Sequence, residues 1–79
     1  MESKKEFKQD VEEILMQLLS ENCTAINIMY RLCNTAITFY RRGQADEAEL
    51  VWRYACALHA RGKGQFRADL EAGKVWKND

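Results

Sequence analysis

Apolar residues recur at helical spacing from near the first residue onward. Phe7, Val11, Ile14, Leu15 and Leu18 fall on one side, and Met16 and Leu19 widen that stripe. Lys5, Gln9, Glu12 and Glu13 occupy the opposite side. Ser3 and Glu6, three residues apart, match a capping box. The pattern predicts a first helix over about residues 4–19, buried on one face and lying on the outside of a bundle. The competing reading of this segment is an acidic amphipathic helix that enters a partner's groove.

Ser20-Glu21-Asn22 interrupts the pattern, and Asn22 or Thr24 suits the cap of a second helix over about 24–42. Its apolar residues form two rows: Ala25, Ile28, Leu32, Ala36 and Phe39, then Ile26, Met29, Cys33, Ile37 and Tyr40. So wide an apolar arc predicts a central rod contacted from both sides. Asn27, Asn34, Thr35 and Thr38 fall among these rows and need hydrogen-bond partners if buried. Gly43 ends this helix, and Arg41 and Arg42 suit the negative end of its dipole.

A third helix is predicted over about 45–60, with Asp46, Glu47 and Glu49 at its positive end. Ala48, Val51, Trp52, Ala55 and Leu58 are expected to face inward, with Leu50, Tyr54 and Ala57 as a flanking set. Arg61-Gly62-Lys63-Gly64 reads as a two-glycine turn. A short fourth helix over about 65–77 would use Phe66, Leu70 and Trp76, with Val75 beside them. Gly73 inside it costs about 1 kcal/mol relative to Ala. This helix is expected to fray, or to be ordered by docking over the open side of the hairpin before it. The fold class is therefore all-α: one domain over 1–79, a small helical bundle of three long helices and a short C-terminal fourth.

Composition narrows the function. With 79 residues and 47% hydrophobic content the chain suits one small globular domain rather than a disordered segment. The absence of proline agrees with an all-helical reading. A formal net charge of +0 implies no wholesale attraction to nucleic acid or an anionic membrane. No apolar run approaches the roughly 20 residues of a membrane-spanning helix. The charged start has no apolar segment typical of a signal peptide. Cys23, Cys33 and Cys56 make an odd, scattered set without a CxxC pair, so a cytoplasmic protein with reduced thiols is expected. Cys33 and Cys56 read as small core residues.

Catalysis has little to stand on. One His and three scattered Cys are a poor zinc set. The run Gly62-Lys63-Gly64 lacks the fuller phosphate-loop pattern. No nucleophile–base pair or cofactor motif is evident, His59 included. Neither an enzyme nor a cofactor or metal site is expected.

The segment 32–60 resembles one tetratricopeptide (TPR) repeat. Leu32 takes the Trp place of that pattern, Thr35-Ala36 the Leu-Gly pair, and Phe39 the Tyr place. Ala48 takes the Ala, Trp52 the Phe, and Ala55 the small residue one turn later. Gly43-Gln44-Ala45-Asp46-Glu47-Ala48 is similar to the inter-helix turn of that family. The chain departs from it at Ala60, where Pro is usual, and at Ala36, where Gly is usual. On this resemblance Ala36, Ala48 and Ala55 let two helices approach while Phe39 and Trp52 fill the wedge. No second copy of the pattern exists, so an array of repeats is excluded. A fainter likeness, to small enterobacterial regulators of the ANR and PerC type, rests on Arg42-Gly43, Ala48, Trp52 and the 61–67 run, without the later Trp-Arg-Cys part.

The TPR resemblance implies protein binding without catalysis. The expected function is a protein-protein interaction module, a small bacterial adaptor or chaperone-like protein. Tyr30, Leu50, Tyr54 and Trp76 are its candidate contact residues, for another protein or across a homodimer. The alternative is a small transcription regulator acting through nucleic acid or a DNA-binding protein. For that role Arg41, Arg42, Arg53, Arg61, Lys63 and Arg67 form the candidate basic patch.

Overall fold

The computed structural model describes residues 2–75, with side chains described from Glu6 onward. Four helices follow in order: α1 (Glu2–Ser20), α2 (Ala25–Arg41), α3 (Ala45–Arg61) and α4 (Lys63–Ala72). The protein is an all-α bundle, with no strand among the described residues. Helix α1 starts at Glu2, so Ser3 lies within it rather than ahead of it.

The helix ends follow local rules. Thr24 caps α2, its Oγ1 accepting the Asn27 backbone N–H at 3.3 Å. Asn22 instead closes α1. Its φ of +66° is tolerated by Asn, and its N–H donates back to the Leu19 carbonyl at 3.4 Å. Gly43 closes α2 with φ +80°. There the Gln44 N–H donates to the Phe39 carbonyl at 2.9 Å and the Gly43 N–H to the Tyr40 carbonyl at 3.1 Å. These are the two bonds of a Schellman ending, which needs a left-handed residue at that position.

Helix α3 is the centre of the domain. It packs most extensively against α2 and also contacts α1 and α4, which contact each other. The core joins Leu15, Leu18 and Leu19 of α1 to Ile28 and Leu32 of α2, Val51, Tyr54 and Leu58 of α3, and Phe66 and Leu70 of α4. Ala36, Ala48 and Ala55 are buried, as expected of small residues where two helices approach. Phe39 meets Phe7 of α1 edge-on, ring centroids 5.2 Å apart.

The expectation that α2 is the central rod is overturned. Ile28, Leu32 and Ala36 of its first row are buried, whereas Ile26, Ile37 and Tyr40 of the second row are exposed and Met29 and Cys33 only half-buried. The polar residues among these rows need no buried partner, because Asn27, Asn34, Thr35 and Thr38 all lie on the exposed surface. Ile14 of α1 is also exposed, since no element covers that edge of its stripe.

The fourth helix begins earlier and ends sooner than its spacing suggested. A single residue, Gly62, links α3 to α4, with φ +84° and ψ 162°. Only glycine adopts this region readily. Gly64 lies inside α4. Gly73 stands just past the helix with φ +70° and terminates it, rather than weakening its interior. The turn folds Val75 back into the core. Trp76 and the remainder of the expected helix, through Lys77, lie outside the described residues.

Gly62 and Gly64 therefore predict opposite responses to one methyl group. A Cβ would meet nothing within 4 Å at either position. Gly62→Ala should destabilise by about 1–3 kcal/mol through backbone strain alone. Gly64→Ala, in a helical conformation, should be neutral or stabilise by up to about 1 kcal/mol. Urea midpoints of the two variants check this contrast.

Candidate functional site

A regular feature of α2 creates the site. Each residue of the core row is followed at once by another apolar residue: Ala25-Ile26, Ile28-Met29, Leu32-Cys33, Ala36-Ile37 and Phe39-Tyr40. Neighbouring residues of an α-helix are turned by roughly 100° about the axis. The second member of each pair therefore cannot point where the first does. Helix α3 repeats part of this, since buried Val51 is followed by Trp52, and buried Ala55 by Cys56. The two helices are antiparallel neighbours, so their second faces turn to the same side of the hairpin.

There they line a groove of about 480 Å³. Ala36, Ile37 and Tyr40 form one wall, and Ala45, Ala48 and Trp52 the other. Arg41 stands on the α2 rim and Glu49 on the α3 rim. Tyr40 is 71% exposed and Trp52 51%. The apolar surface continues along α2 through Tyr30 and Ile26. Neither α1 nor α4 contributes a residue to this groove, and Ile37, Tyr40 and Trp52 stay exposed.

The four residues expected to form a contact patch do not share one surface. Tyr30 is exposed beside the groove. Leu50 is half-buried against the core. Tyr54 is wholly buried, and its hydroxyl donates to the Glu12 carboxylate of α1 at 2.6 Å. Trp76 lies outside the described residues. Trp52 and Tyr54 exchange the places expected for them, so Trp52 does not fill the wedge between the helices. The exposed residues that spacing assigned to the interior, Ile37, Tyr40 and Trp52, are the ones that build the groove. The signal for them was the paired apolar positions of α2.

The basic residues divide by role. Arg61 is a structural tie: its Nε lies 3.3 Å from Asp69 Oδ2, and its Nη2 donates to the Val75 carbonyl at 3.2 Å. It thereby holds α3, α4 and the final turn together. Lys63 donates to the Cys23 carbonyl and ties the α1–α2 loop to the start of α4. Arg67 pairs with Glu71 one turn along α4. Arg53 also has a partner. Arg41 and Arg42 are exposed at the end of α2. The six do not form one free basic surface.

Among the described residues no group of His, Cys, Asp and Glu is arranged to hold a metal ion. Cys56 is exposed and Cys33 half-buried, so neither is the enclosed core residue expected of it. His59 is exposed near the end of α3. No helix among the described residues is long and apolar enough to cross a membrane. What the groove offers chemically is desolvation of an apolar side chain or helix, with one charge of each sign at its rims.

Stability measurements separate these roles. Tyr54→Ala should cost about 3–5 kcal/mol, as for other large buried side chains. Trp52→Ala should cost less than about 1 kcal/mol despite removing the larger side chain, when it and the wild type are compared at a dilution that keeps both monomeric. Arg61→Ala should lower stability by about 1 kcal/mol, whereas Arg42→Ala should stay within about 0.5 kcal/mol. Urea unfolding of the four variants checks the ranking.

The chain matches no protein-family model, no curated protein and no solved structure.

Proposed function

We propose that this protein is a non-catalytic protein-protein interaction module acting through the open face of the α2–α3 hairpin. The carrying observation is the groove of Ile37, Tyr40 and Trp52, an apolar surface that the protein's own helices leave uncovered. Contiguous apolar surface of this kind, rimmed by charge, is characteristic of a docking site in a folded protein. Aromatic residues in such a position are the usual anchors of protein interfaces. The role is that of a small bacterial adaptor or chaperone-like protein working in the cytoplasm, where its scattered thiols stay reduced. The TPR resemblance of the same hairpin points to the same class of function.

The regulator reading draws less support. Four of its six basic residues, Arg53, Arg61, Lys63 and Arg67, are already engaged in contacts. Direct binding to a duplex would fall steeply with added salt.

Affinity capture from host lysate tests the proposal. The wild-type protein should retain a protein after nuclease treatment. Ile37→Glu combined with Trp52→Glu should lose it, with an affinity drop of at least about tenfold and unchanged helical circular dichroism. Equal retention by the double variant would contradict this assignment of the surface. Retention that disappears with nuclease would contradict the function.

A further inference from the structure

We infer that the occupant of the groove is a second copy of this chain, joined to the first as a two-fold dimer whose axis runs parallel to α2 and α3. This rests on the proposed binding role of that face and names its partner. Three observations carry it.

The first is angular. On α2 the exposed Ile26, Ile37 and Tyr40 are turned by roughly 100° from the core row, because each directly follows a member of it. A helix with two apolar faces at about that angle suits the corner of a four-helix bundle, where it touches two neighbours. Helix α2 has neighbours on its core face, α3 and, at Phe7, α1, and none over its exposed row among the described residues. The α3 helix of a second copy supplies one there.

The second is charge. Helix α2 contains Arg31 and Arg41 and no acidic residue, whereas the groove side of α3 carries Glu49. Among the described residues neither Arg41 nor Glu49 has a charged partner within its own chain. An axis parallel to the helices sets each α2 over the other copy's α3, antiparallel, with the same ends level. Arg41 of each copy then faces Glu49 of the other. An axis across the helices would instead lay the basic α2 on a second basic α2. The formal net charge of +0 adds no general repulsion between copies.

The third is size. A 17-residue helix is about 26 Å long and a two-helix face about 20 Å wide, giving on the order of 500 Å² in projection. Two such faces together come to about 1,000 Å², the lower bound for a specific interface. Ala36, Ala45 and Ala48 within the groove allow close helix approach, and Tyr40 and Trp52 give it anchors.

Sedimentation velocity of the purified full-length chain, with charge-swapped variants, tests the dimer. Wild type should sediment as a dimer at micromolar concentration. Arg41→Glu alone and Glu49→Arg alone should each weaken it by at least about tenfold, since both place like charges in contact twice. An equal mixture of the two variants should recover the dimer, because each then meets its opposite charge at both positions. Trp52→Glu should give a monomer of unchanged helicity. A wild-type monomer at about 100 µM, well above typical dissociation constants, would overturn the inference. So would a dimer indifferent to Trp52→Glu and to the swaps. A monomer that still captures a different protein through Trp52 overturns the second copy and leaves the binding role standing. A monomer that captures nothing removes both.

Discussion

The 100° step between neighbouring residues of an α-helix governs what this protein can bury. Wherever two apolar residues stand side by side in α2, at most one is fully buried in a bundle this small. With Ile28, Leu32 and Ala36 buried in the core, Ile26, Ile37 and Tyr40 turn to the surface, and Met29 and Cys33 stay half-buried between the two faces. Covering both faces would take another helix beside α2. The remaining helices are committed elsewhere: α1 and α4 both pack on α3 and on each other, and neither lines the groove. The open apolar face follows from that shortage, and the proposed binding role follows from the face.

The rest of the bundle is held by a few specific ties. The Tyr54 hydroxyl on Glu12 fixes how α1 crosses α3. Arg61 joins the end of α3 to Asp69 and to the Val75 carbonyl, and Lys63 reaches the loop between α1 and α2. These polar contacts gather on the flank away from the groove. The proposed docking surface carries none of these ties. The proposed division is a stapled flank that maintains the fold and a smooth apolar flank that binds.

Much of the fold was legible from residue spacing. The three long helices followed from the 3.6-residue period, and Thr24 and Gly43 marked ends that the structure places at those residues. Spacing could not choose between Trp52 and Tyr54. Ala48, Val51, Ala55 and Leu58 define an inward direction, and the two aromatics lie about 80° to either side of it. Hydrophobicity favoured Trp52, but the position of α1 decided the matter by covering Tyr54. The same limit applies to α2: a wide apolar arc indicates two partners without saying whether both lie in one chain. Gly73 was read as a cost inside a helix because Val75 and Trp76 beyond it looked like continuation. A left-handed ending that folds Val75 back uses the same residues for a stop.

The account's central claim is that the α2–α3 face is the contact surface and that its natural cover is a second copy. The most direct measurement reads that face from Trp52 itself, in a Trp76→Phe background where it is the sole tryptophan. Acrylamide quenching should be weak in concentrated protein and rise on dilution, as the groove opens to water. Quenching that is strong and identical at every concentration would contradict the claim.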